Sequence, residues 1–254
     1  MDEGAPLGRA SRRGALDVAG AAEEESADGW VSLQYKHNRG AAIKDAHSYH
    51  HGDLRRALLV AALELVSEVG AQGFSLREVA RRAGVTHAAP YRHFASKESL
   101  VAALCEDGFN MMLKHMHDAM HAAGEDPLAR FQAAAMGYLK FAVTCASHFR
   151  LMFGANSVNR EQYPTLLDAS HKGLAIVMDL VKACQRAGYF RTQQSSLELS
   201  LAGWSTVHGL ASLYVDGQLR NLSLQLGDLE TMGQLVAKAM LDGLFEPSHR
   251  SAAV

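Results

Sequence analysis

What this chain lacks narrows its chemistry first. Its three cysteines, Cys105, Cys145 and Cys184, lie far apart and form no CxxC pair. Neither a disulfide framework nor a zinc site is therefore indicated, and a reducing, cytoplasmic setting is expected. No apolar run approaches the roughly 20 residues that cross a bilayer, and the N-terminus has no apolar core of the signal-peptide kind, so no membrane partner is expected. Nucleophile, phosphate-loop and paired-acid signatures are missing, which argues against an enzyme, and no cofactor is implied. Neither sign of charge dominates, the formal net being -2 over 254 residues.

The distribution of charge says more than its sum. Residues 1–47 hold 6 basic and 8 acidic side chains, residues 48–100 hold 7 and 5, and residues 101–254 hold 12 and 14. The single positive segment is small in excess, but its sign suits a local contact with a polyanion. Residues 1–47 are rich in Ala, Gly and charge, with an acidic run at Glu23-Glu24-Glu25 and no apolar periodicity. That composition predicts a disordered tail.

From Asp53 a helical period sets in. Leu58, Leu59, Ala62, Leu65, Val66 and Val69 form one apolar stripe that Gly70 closes. Ser75 and Glu78 have the spacing of a capping box, and Phe74 and Val79 that of a hydrophobic staple. They open a short helix, Leu76 to Ala83, with Arg77, Arg81 and Arg82 on its other faces. Gly84 fits a left-handed cap. Thr86 can cap a second short helix, His87 to about Phe94, and Ser96 a long third one from Lys97 to about Ala123.

Helix, tight glycine turn, helix is the helix-turn-helix pattern. Its second helix carries only Tyr91 and Phe94 as core material, leaving His87, Ala88, Pro90 and Arg92 to face outward. Arg92 can present paired donors to guanine, and Thr86, Tyr91, His93 and Lys97 can donate to phosphate oxygens. Pro90 is expected to distort the helix entry, because it removes a backbone donor and crowds the Thr86 carbonyl. An ordinary surface helix fits the same spacing.

The run from His50 to Leu104 resembles the DNA-binding head of tetracycline-repressor-like (TetR family) transcriptional regulators. The resemblance rests on Ser75-Leu76-Arg77-Glu78-Val79-Ala80, on Ala83-Gly84-Val85-Thr86, and on Tyr91-Arg92-His93-Phe94-Ala95-Ser96-Lys97-Glu98-Ser99-Leu100. It implies that Ser75, Thr86, Tyr91, His93 and Lys97 hold the DNA backbone while His87, Ala88, Pro90 and Arg92 face bases.

The rest of the chain reads as a larger helical body. Helices are expected from Asp126 to about Ala146, from about Tyr163 to Ala187, over Leu197 to Gly217, and from about Asp228 to Phe245. The third of these is apolar nearly all round and must be covered on all sides, so it and the last helix are candidates for a dimer interface. Trp204-Ser205-Thr206-Val207-His208-Gly209 and Phe149 to Gly154 resemble a Trp-His-Gly class of regulatory domain in the same family. Trp204 and His208, four apart, could line an apolar cavity with Phe141, Cys145, Met152, Phe153, Leu167 and Met178. Both could equally be packing residues with a satisfied imidazole.

The expectation is thus an all-α chain in three parts. Residues 1–47 form the tail, 48–108 a three-helix head, and 109–247 an effector-binding and dimerising body. The function expected is that of a homodimeric, sequence-specific regulator, a repressor released from a palindromic double-stranded DNA operator by a small organic effector. The competing reading is a metalloprotein or enzyme built on residues 111–121, where His115, His117 and His121 stand among four methionines and the pair His117 and His121 has a ligating i, i+4 spacing. A nonspecific nucleic-acid binder is a third.

Overall fold

The computed structural model describes residues 51–154, 158–221, 225 and 227–244; the expected tail, residues 1–47, lies outside them. Every regular element of the described residues is a helix, and they contain no strand. The helices are α1 (His51–Val69), α2 (Leu76–Arg82), α3 (Lys97–Ala122), α4 (Pro127–Thr144), α5 (Ala146–Phe153), α6 (Pro164–Arg186), α7 (Ser196–Val215) and α8 (Leu229–Leu244), with 3-10 turns at Pro90–Arg92 and Arg160–Gln162. None of the described helices is long and apolar enough to cross a membrane.

Local chemistry accounts for the boundaries. The Ser75 hydroxyl accepts the Glu78 amide at 3.3 Å and the Glu78 carboxylate accepts the Ser75 amide at 2.7 Å, so the capping box that opens α2 is complete. Phe74 and Val79 are buried beside it. Ser96 and Ser99 cap α3 in the same reciprocal way, and Asp126 with Pro127 opens α4. Gly84 takes φ +70°, a conformation that favours glycine, and so lets the chain turn sharply after α2.

The head packs α1 against α2 and α3 around Leu58, Leu76, Val79, Phe94 and Leu100. Arg82 locks α2 to α1 through a fork onto Glu68 at 2.6–2.7 Å and a longer contact with Glu64. The body is a bundle in which α3, α4 and α6 pack on one another and α7 and α8 close the far side. Gly137 lets α4 approach α3 so closely that a Cβ there would lie 2.5 Å from the His115 carbonyl oxygen. The expected boundary at 108/109 falls inside α3, which runs continuously from the head into the bundle. Helix α5 also touches both units: its Ser147 hydroxyl lies 2.7 Å from that of Ser67 on α1.

Candidate nucleic-acid interface and effector cavity

The expected second helix of the head is not an α-helix here. Residues 87–89 form a turn and Pro90–Arg92 one turn of 3-10 helix. The physical reason is Pro90, which has no N–H to return to the Thr86 carbonyl. That carbonyl instead accepts the Ala89 amide at 3.0 Å, and Arg92 donates to Ala89 at 3.2 Å, so the bonds close over three residues rather than four.

This turn sorts the expected DNA-facing residues. Thr86, His87, Ala88 and Arg92 are exposed, and Tyr91 is 55% exposed rather than part of the core. Arg77 and Arg81, four apart and so on one side of α2, are exposed as well. Pro90 is a correction: its ring is fully buried, so it shapes the turn from within and faces no ligand. Phe94 is buried, and His93 is half-buried with its ring 6.5 Å from that of Phe94. Lys97 is tied inward, donating to the Gln72 carbonyl at 3.0 Å with its ammonium 4.6 Å from the centre of the Phe74 ring. Ser75 remains exposed, although its hydroxyl already serves the α2 cap.

The body holds a cavity of about 250 Å³ between α3, α4, α6 and α7. Helix α3 contributes Phe109, Met112 and Met116, and α4 contributes Tyr138. Leu167, Ser170, His171, Leu174 and Val177 come from α6, Trp204 from α7, and Phe153 and Arg160 from α5 and the 3-10 turn after it. No Asp or Glu lines it. Phe153, Leu167 and Trp204 thus stand where the sequence reading put them.

The other expected lining residues stand elsewhere. Phe141 is fully buried against Phe149 and His115, in the core and away from the cavity. Met152 is fully buried and plugs the close approach of α5 to α3 at Gly108. Met178 is half-buried and outside the cavity wall. Cys145 is buried beside Thr144, and burial pushes its thiol up, away from the reactive thiolate.

His208 stands just behind the cavity wall. Its ring packs 4.6 Å from Phe153 and 5.5 Å from Trp204, and its Nδ1 lies 2.7 Å from the Tyr138 hydroxyl. Ser212 Oγ approaches Nε2 at 3.4 Å. Burial lowers the His208 pKa and raises that of Tyr138, so both groups are held neutral around neutral pH. Tyr138 is therefore one neutral polar group of the cavity wall, with His208 behind it.

Sequence reasoning missed Arg160, Tyr138 and the α3 wall. A signal for the last existed: Met112 and Met116 are four apart in a methionine-rich run and so share one helical face. The histidines of the same run stand apart in their surroundings. His115 is half-buried with its ring 6.2 Å from Phe141, and His117 and His121 are exposed. No group of three or more potential metal-binding side chains occurs among the described residues.

Comparison with known proteins covers both the head and the body. Residues 58–104 match the family model described as "Bacterial regulatory proteins, tetR family", and residues 131–240 match "Tetracyclin repressor-like, C-terminal domain". The class C tetracycline repressor protein of Escherichia coli is 40% identical over 63 residues, 25% of this chain and 28% of that protein. The chain thus spans little more than a quarter of that relative's length. The transcriptional activator FasR of Mycolicibacterium smegmatis is 26% identical over 163 residues, 64% of this chain and 69% of that protein. Among solved structures, a protein of unknown function from Rhodococcus sp. RHA1 is 30% identical with a TM-score of 0.67, covering 79% of this chain and all of that one. The ketosteroid regulator KstR2 of Mycobacterium tuberculosis shares the fold at 20% identity, with a TM-score of 0.58 over 76% of this chain and 95% of that one.

Proposed function

This chain belongs to the tetR family of bacterial regulatory proteins, and from that premise we propose that it is a homodimeric, sequence-specific DNA-binding repressor that a small organic molecule releases from its operator. The observation that carries the reading is the exposed face of the head. His87, Ala88, Tyr91 and Arg92 stand outward on a turn whose own Pro90 and Phe94 are buried, so a rigid core holds a polar, partly basic surface. In this reading Arg92 makes the paired contacts to a base edge, and Thr86 and Tyr91 position the head on phosphates.

The body supports the dimer and the effector. Leu197, Leu201 and Trp204 form an exposed stripe along α7, with Leu213 further on and Leu235 exposed on α8. Such a patch on the two outermost helices is what a second copy of the chain would cover. Two-fold symmetry then calls for a palindromic operator with half-sites spaced by whole turns of DNA. A ligand in the cavity acts only by binding the DNA-fitting and non-fitting arrangements of the dimer unequally.

Selection of bound DNA from a random pool tests this. The wild type is expected to enrich one palindrome. Arg92→Ala is expected to relax the preference at one position per half-site, costing about 1–3 kcal/mol against that base. Absence of any enriched sequence, with cell extract present or not, would refute sequence-specific binding. A second reading, an activator, draws on the wider match to FasR. A reporter carrying the selected operator decides between them by whether loss of the protein raises or lowers transcription.

A further inference from the structure

The cavity of the body contains a cation with no counter-ion among the described residues. Arg160 sits in the 3-10 turn that follows α5 and reaches the cavity half-buried. Its guanidinium carbon lies 4.9 Å from the centre of the Phe109 ring and 6.0 Å from that of Phe153. One terminal nitrogen donates to the Met152 carbonyl at 2.8 Å, which fixes the direction of the group. None of the ion pairs among the described residues involves Arg160, and the cavity lining has no carboxylate.

A guanidinium has five N–H donors in a rigid fork, and a single carbonyl leaves most of them unanswered. A charge drawn part-way out of water and packed between aromatic rings gains most from an anion that accepts two of those donors at once. Apart from Ser170 and His171, the rest of the wall is the reverse in character. Met112, Met116, Leu174, Val177 and Trp204 offer apolar surface, and the Tyr138 hydroxyl already meets His208.

We propose that the effector is an apolar organic acid whose carboxylate is held by Arg160 and whose body lies along the methionine and tryptophan wall. This rests on the cavity being the effector site. Its volume of about 250 Å³ admits a body of roughly eight non-hydrogen atoms, taking the ~30 Å³ share of a water as the room each needs.

Octanoate and 1-octanol share the body and differ in the acid, so calorimetric titration of the full chain with each isolates the anion. Octanoate is expected to bind tighter by roughly tenfold to a hundredfold, the worth of a charge-assisted hydrogen bond. Arg160→Gln is expected to erase that difference, while Arg160→Lys, which keeps the charge, retains part of it and guards against a mere folding defect. Octanoate, and not octanol at equal concentration, is expected to weaken operator binding by the wild type. Equal binding of the two probes, or undiminished octanoate binding by Arg160→Gln, overturns the proposal. If both probes bind equally and both release DNA, the effector-site reading survives that failure; if neither binds, both readings fall together.

Discussion

Acid should destabilise this protein through one histidine in particular. His148 on α5 is 1% exposed, and neither ring nitrogen has a hydrogen-bond partner among the described residues. It is packed where α5 meets α3, its Cβ 3.2 Å from where a side chain on Gly108 would begin. Burial holds its imidazole down at about 4, against an ordinary value of 6.5. The unfolded chain thus takes up this proton as the pH falls through about 6.5, while the folded chain resists until about 4. Stability from this site is complete above the higher value and is lost as the pH falls towards the lower. The loss works out at about 2 kcal/mol at pH 5 and about 3 kcal/mol at pH 4.

His148→Met replaces the ring with an apolar side chain that fills irregular gaps and does not titrate. Urea unfolding of both proteins at one fixed concentration, at pH 7 and pH 5, measures the effect. Wild type should lose about 2 kcal/mol more than the variant over that interval. Burial also lowers the pKa values of His115 and His208, but both remain in each protein and cancel in the difference. Parallel losses in the two proteins would show that His148 is solvated or paired when folded, and the reasoning from its burial would be refuted.

Two further outcomes follow from the bundle. Tyr138→Phe removes the hydroxyl that meets His208 Nδ1 at 2.7 Å and should cost about 1–3 kcal/mol, while the double variant with His208→Phe should cost less than the sum of the singles; thermal melts give the comparison, and strict additivity would deny the hydrogen bond. Gly137→Ala places a methyl 2.5 Å from the His115 carbonyl oxygen, a backbone atom that cannot swing aside. It should destabilise by about 1–3 kcal/mol despite alanine's better helix propensity, and an unchanged or higher melting temperature would show that α3 and α4 separate freely.

The head was the more legible half, because its signals are local. The capping box at Ser75 and Glu78 and the left-handed turn at Gly84 are settled within a few residues, so spacing alone places them. Pro90 was legible only in part. Its missing donor was plain in the sequence, but whether that would bend a helix or replace it with a 3-10 turn depended on how deeply Phe94 and the proline ring were drawn into the core. The cavity was the less legible half. Periodicity marks Phe141, Met152 and Met178 as apolar and inward on the same terms as Phe153 and Leu167, and it cannot tell a filled space from an empty one.

Although it put an α-helix where the head has a turn and one turn of 3-10 helix, the sequence by itself determined the all-helical class, the α-helices other than α5, and the resemblance to the family. Each of these follows from residue spacing or from short motifs. Tertiary structure alone decided which inward residues leave room between them, that Tyr138 and His208 meet across 70 positions of chain, and that Arg160 reaches a cavity whose described lining has no carboxylate. Those facts depend on distances between helices remote in sequence, set by close packing at points such as Gly137 and Gly108, and no local pattern encodes them.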